Sequence, residues 1–551
     1  MQAKKWFSIG LAVTMLSSVA LVGCGSKDDS NTADNSGSTS KDEQVINLAL
    51  SDEIPSLDIS KATDNIAFRV LGQINEGLTR VDKNGKAQPG VAKDWKVSED
   101  GLTYTFNLRD DAKWSDGTPV TAGDFEYSWK RTLDPKTASQ YAFMVAWVKG
   151  GEAYNSGKGT ADEVGVKAKD DKTLVVTLDH PVPFFAEQMA FPLFFPQKKD
   201  FVEKQADKNG ADADKVLTDG PFKMTEWVHE QSATLVKNDN YWDKANVKLE
   251  KVNYQVVKDS GALENLYQAG QLDRIGLVRD QVDRYKDTPE YTVIPELTNG
   301  YFQYNEKNKL FTNAKVRKAL TYAVDGDQYA DIVYHNGTSG ATGFVPTGTS
   351  NGNGGDFRKD QGDLLKRKEN ASKAKDLLAE GLKELGMSSF PATKLLSDDG
   401  DVSKKASEFI KEQWRQNLGI DVEVENVPFK LRLKRTTDRD YDIVVSLWGA
   451  DYNDPMTFLD MWITGGDFNE NGYSNPKYDD LIHSAQKEPD SKKRMSYLYD
   501  AEKILMEDMP VGPIFFRASS GVAQQYIKGW QNNMSAPDYD LKGVYIEGKK
   551  K

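Results

Sequence analysis

Only one cysteine, Cys24, occurs in these 551 residues, so no internal disulfide can tie the folded part of the chain together. The fold has to hold by burial alone. With 38% hydrophobic and 10% aromatic residues, the composition is that of a globular chain rather than a disordered one. The length exceeds what a single core supports, which predicts two or three domains.

Where that cysteine stands is informative. Lys4 and Lys5 form a short positive start, and an apolar run from Trp6 to Val22 follows; this is the layout of a secretory signal over residues 1–23. The run is barely long enough to span a bilayer and no basic stop-transfer cluster follows it, which argues against a membrane helix. It ends in Leu21-Val22-Gly23-Cys24. Small residues before a cysteine give a peptidase access, and the thiol can take up a diacylglyceryl group. This stretch resembles the bacterial lipoprotein box. Two acyl chains on Cys24 give stable anchoring where one is marginal, so the expected location is the extracytoplasmic face of the cell membrane. Residues 25–44, GSKDDSNTADNSGSTSKDEQ, are too polar to bury and predict a flexible tether reaching roughly 25 Å on average.

Charge and motif inventory exclude several classes of function. The formal charge is −13, more negative still without Lys4 and Lys5, which disfavours nucleic acid and anionic lipid surfaces. Contact with the membrane is therefore expected through the lipid anchor only, and Lys549–Lys551 is expected to be a solvated end. The four histidines never reach metal-ligand spacing. His229-Glu230 lacks the second histidine of a zincin helix, because Ala233 stands there. Gly157-Lys158 lacks the rest of a phosphate loop, and no G-x-S-x-G elbow occurs. No catalytic residue, metal or cofactor is expected, and binding is favoured over turnover.

Local patterns predict α/β domains with mixed sheets. Lys96–Ser98 and Leu102–Leu108 flank an Asp100-Gly101 turn as a hairpin, and Thr173–Leu178 reads as a strand. Helices are expected over Ala314–Val324, over Ser491–Asp508 before Pro510, and over Ser403–Leu418 before Gly419. Ile420, Val422 and Val424 alternate as a strand, whereas Asp442–Trp448 runs almost without a polar break, as a strand buried on both faces does. Glycine-rich 343–355 is a loop. In open α/β sheets ligands bind beyond the carboxyl ends of strands, which directs attention to Gly449-Ala450-Asp451-Tyr452-Asn453-Asp454-Pro455.

The stretch AKDWKVSEDGLTYTFNLRDDAKWSDGTPVTAGDFEYSWKR at 92–131 closely resembles the signature of the family 5 substrate-binding proteins, the oligopeptide receptors of ABC importers. Four more blocks follow in the family's order: TDGPFKMTEWV (218–228), NDNYWDKANVKLEKVNY (238–254), NGYFQYNEKNKLFTNAKVRKALTYAVD (299–325) and LWGADYNDPMTFLDMW (447–462). The resemblance implies a bilobed type II binding-protein fold in its large three-domain form, with a hinged ligand cleft. Domain I would comprise 45–78, 215–303 and 518–548, domain II 79–214, and domain III 304–517. The implied activity is capture of oligopeptides outside the cell by a monomer and delivery to ABC permease subunits with their cytoplasmic ATPases. Same-fold receptors for signalling pheromone peptides or other small amine-bearing ligands are the alternative, and an exported enzyme or foldase is a more distant one.

In the family an aspartate after W-x-A binds the peptide α-ammonium, and Trp448-Gly449-Ala450-Asp451 matches it position by position. By the same resemblance, backbone around Gly449 and Ala450 would pair with the peptide as an added strand. Asn453 belongs to the same stretch. Trp448, Phe429 and Tyr301 align with aromatic or cleft-lining positions, and Tyr141 and Asn65 fall in stretches that line the cleft in relatives. Some enterobacterial members carry an arginine where Val445 stands, able to meet the C-terminus of a short peptide. They also carry a disulfide whose positions correspond to about Thr298 and to Gly449.

Overall fold

The computed structural model describes residues 42–549 apart from 84, 183 and 534–536. The signal, Cys24 and residues 25–41 of the tether lie outside the described residues. No helix among the described residues is long and apolar enough to cross a membrane, and none of these residues is a cysteine.

Three larger sheets organise the chain. The first joins distant segments: Val45–Leu50 runs parallel to Lys251–Val256, which pairs antiparallel with Ser232–Lys237 and so onward to Phe222–Val228. Its alternation is visible in the sequence, because Ile46, Leu48 and Leu50 all turn into the core. The second is antiparallel, in the order Ala92–Val97, Thr103–Leu108, Thr173–Thr177, Val166–Asp170. The hairpin read from Asp100-Gly101 is therefore present. Helix Ala122–Leu133 is fixed at its start by Asp124, whose carboxylate accepts from the Thr121 N–H at 2.8 Å. That helix buries Phe125 and Trp129 completely.

The third sheet has seven strands. Along its main path run Arg274–Gly276, Val511–Ala523, Tyr291–Tyr304, Ile443–Gly449, Lys394–Asp398 and Glu423–Val427, with Ser339–Gly340 paired beside Val511–Ala523. The last two strands on the path and Ile443–Gly449 run parallel to one another, and the other pairings are antiparallel. The boundaries expected at 303/304 and 517/518 fall inside strands Tyr291–Tyr304 and Val511–Ala523.

Most local readings hold. In the apolar run, Ile443, Val444, Val445 and Ser446 are all buried, as a strand covered on both faces requires. Helix Asp401–Leu418 buries Ala406, Ile410 and Trp414, and Gly419 ends it at φ +71°, a conformation that costs glycine little. Helix Ser491–Asp508 has the expected ends, and the helix read to Val324 stops at Tyr322.

Two readings need correction. Ile420 and Val422 lie before the strand, which begins at Glu423; both are buried because the chain leaving Gly419 packs into the core beside the helix before it joins Lys394–Asp398. Of the expected solvated end, Lys549 is half-buried instead, its ammonium 3.2 Å from Asp273, a fully buried carboxylate, and over the Tyr526 ring, while Lys550 and Lys551 lie outside the described residues.

Candidate functional site

Strand Ile443–Gly449 defines one wall of a cavity of about 550 Å³. On one side it pairs along its whole length with residues 298–304, but on the other only Ile443 and Val444 meet Lys394–Asp398. Residues 445–449 thus present a free strand edge, and Ser446, Leu447, Trp448 and Gly449 line the cavity. A free edge inside a cavity is a template for another extended chain.

Asp451 lies two residues beyond that strand. It is only 6% exposed, and the Tyr141 hydroxyl donates to its Oδ1 at 3.1 Å. Its own N–H donates to Thr457 Oγ1 at 3.2 Å. No cation pairs with it among the described residues. Burial pushes the carboxyl up to about 8, although hydrogen bonding to Tyr141 and Thr457 pulls it the other way. Three rings frame its approach: Trp448 and Phe468 at 4.8 Å between centroids, Tyr141 and Phe468 at 5.0 Å, Tyr141 and Trp448 at 6.2 Å.

The surroundings of Asp451 are acidic. Asp454 is matched by Arg494 through two bonds at 2.7 and 2.8 Å. Asp460 is buried with neither carboxylate oxygen bonded, and burial, reinforced by Asp451 and Asp454, raises it well above the usual carboxylate range. The Tyr452 hydroxyl and Trp462 Nε1 are likewise buried and unbonded.

Of the residues expected at the site, Asn65, Tyr141, Tyr301, Phe429, Trp448, Gly449 and Asp451 all line this one cavity. Asn65 opens helix Asn65–Ile74, with Asp64 as its cap, and faces Gly449, where an added Cβ would lie 3.1 Å from Asn65 Nδ2. Tyr301 serves two purposes, since it also packs edge-on against Phe344 and Trp462. Ala450 and Asn453 do not line the cavity. The Ala450 N–H donates to Leu297 O at 2.8 Å, a bond within the protein's own backbone. Asn453 faces outward and accepts from the Ser350 N–H at 2.8 Å. Thr298 and Gly449 are direct partners across the sheet.

A family model described as bacterial extracellular solute-binding proteins, family 5 (middle), matches residues 86–470. The chain belongs to this family. The dipeptide-binding protein DppE of Bacillus subtilis is 37% identical over 534 residues, 96% of each chain. A solved structure of Listeria monocytogenes OppA bound to peptide matches with a TM-score of 0.88 at 39% identity, covering 92% of this chain and 100% of that one. The pheromone receptor PrgZ matches at 0.87 and 34%, with coverage of 92% and 100%. Like these solute-binding proteins, the chain has the bilobed type II fold with mixed sheets.

Sequence reasoning missed several lining groups of this family 5 protein. Gln140, Phe468 and Glu470 lie in segments without periodicity, and Arg432 is one charge among several on a polar helix, Phe429–Thr437. Nothing local marks them, because their partners lie far off in the chain: Gln140 meets Glu470 across 330 positions.

Proposed function

We propose that the protein captures oligopeptides outside the cell and hands them to an ABC permease, performing no chemistry on them. The observation that carries this reading is a nearly buried, cation-free carboxylate, Asp451, standing at the end of a strand edge left open inside a cavity. An α-ammonium would complete the carboxylate with a charge-assisted bond worth roughly 1.5–3 kcal/mol. The free edge at residues 445–449 would pair with peptide backbone, which is common to all sequences. With Val445 rather than arginine, strand Ile443–Gly449 offers no cation to the C-terminus of a short peptide, which permits longer ones.

Names of relatives agree in kind: a dipeptide-binding protein, and OppA solved with peptide bound. The likeness to PrgZ favours a second use of the same cleft, capture of a signalling peptide. Anchoring through lipidated Cys24 would place the cleft at the outer face of the cell membrane, a tether's length from its permease. The test is calorimetry with one peptide in free and N-acetylated form. The acetylated peptide should bind at least about tenfold more weakly; equal affinity would remove the anchoring role of Asp451.

A further inference from the structure

The cavity's charges are unevenly matched. Four cations line it, and each is already held by a carboxylate of the protein: Arg69 Nε by Asp538 at 2.9 Å, Lys258 by Asp52 at 2.9 Å, Arg432 by Asp398 at 3.0 Å and Arg517 by Glu296 at 2.5 Å. The remaining lining carboxylates are not matched in this way. Asp64 caps helix Asn65–Ile74 through the Ala67 N–H at 2.9 Å, and Asp401 accepts from the N–H and hydroxyl of Ser260, both at 3.0 Å. Both are thus spent on the protein's own backbone N–H groups, which leaves Asp451, already assigned to the ligand's amino end, and Glu470, whose donors are side chains only.

Glu470 is held by neutral donors alone. Thr437 Oγ1 donates to it at 3.0 Å, Gln140 Nε2 at 3.3 Å and Gln303 Nε2 at 3.4 Å. It forms no ion pair among the described residues. Burial raises its carboxyl above the ordinary value against the pull of those donors and of Arg432. A desolvated carboxylate in a ligand cavity gains most from a cation that arrives with the ligand.

Its position relative to Asp451 follows from two short stretches. Consecutive residues Gln140 and Tyr141 reach Glu470 and Asp451 respectively. Phe468, two residues before Glu470, packs on Tyr141 and Trp448. Gln303, the third donor, pairs with Val444 on the strand that ends at Gly449. The two carboxylates therefore lie along one wall. An extended peptide advances about 3.3 Å per residue, so Glu470 falls within reach of a long side chain in the first few residues after an amino end held at Asp451.

We infer that Glu470 is a specificity residue that selects peptides carrying a lysine or arginine side chain near the amino terminus. The inference rests on the reading of the cavity as a peptide site anchored at Asp451. By the same count of charges, the cavity offers no uncommitted cation to an acidic side chain.

Alanine pentapeptides with one lysine, or one norleucine of the same stem without the charge, at position 2, 3 or 4 test this by calorimetry. At one of the three positions lysine should bind about tenfold tighter than norleucine, and Glu470→Gln should bring that ratio near one. The ratio is taken within one protein, so a general loss of affinity in the variant does not disturb it. A ratio near one at all three positions in the unaltered protein, or a lysine preference that survives Glu470→Gln, would overturn the assignment while leaving peptide capture standing. If the plain alanine pentapeptide does not bind at all, both readings fall.

Discussion

The Tyr141 hydroxyl donates to Asp451 Oδ1 at 3.1 Å, joining residues 310 positions apart at the cavity wall. This donor is neutral. The bond orients Asp451 without supplying a countercharge.

Asp451→Ala should weaken binding of a peptide with a free amino end by about tenfold or more, at about 1.4 kcal/mol per decade. Tyr141→Phe should cost less, about threefold to tenfold, since it removes one hydrogen bond and keeps the charge. Calorimetric titration of both variants with one peptide checks the ranking; a larger loss from Tyr141→Phe would contradict it.

Affinity should depend on pH in a defined direction. Burial places the Asp451 carboxyl at about 8 in the free protein, and a peptide amine has an ordinary value of roughly 7.7–8.0. Below about pH 8 the amine is charged while Asp451 carries a proton, so forming the ion pair expels that proton. Affinity should then rise with pH by up to about tenfold per unit, and turn over once the amine discharges. Calorimetry at about pH 6 in buffers of different ionisation enthalpy should detect about one proton released per peptide. Affinity that is flat from about pH 6 to 8 would show Asp451 already ionised.

Asp460→Asn should stabilise the fold at neutral pH by about 1–2 kcal/mol, because an unbonded buried carboxylate is costly when charged. Its folded value lies above the unfolded value of roughly 3.9, so the acid form is the one the fold favours. The native chain's stability from this group is full below about pH 4 and declines as pH rises toward the folded value. The variant's advantage should accordingly vanish near about pH 3.5 and grow toward about pH 7. Urea unfolding across that range measures it, and an equal difference at all pH values would assign it to packing instead.

Cys24→Ser should release the protein into the medium, which fractionation with an antibody would register. Retention in the membrane fraction would rule out the lipid anchor.

How much of this was legible beforehand depended on how local each signal is. Helix Ser491–Asp508, the Asp100-Gly101 hairpin and the Gly419 cap are written into a few neighbouring residues and needed nothing else. The strand at 443–449 announced its burial through an unbroken apolar run, but nothing in that run says that one of its edges stays open from Val445 onward. Asp451 was found through its family block. Asn453, its near neighbour, belongs to an outward turn instead. Ile420 and Val422 mimicked a strand because any buried approach to a sheet can place alternate apolar residues inward. Glu470 gave no local sign at all, since its meaning lies in Gln140, Gln303 and Thr437, gathered from three separate segments.

Thr298 and Gly449 face one another beside the cleft with no sulfur between them, and the described body contains no thiol at all. Oxidants and reductants in the surroundings therefore have no cross-link there to make or break. The walls of the cleft should keep one geometry across aerobic and anaerobic growth, and a single introduced cysteine could carry a fluorescent label without competition from the folded part.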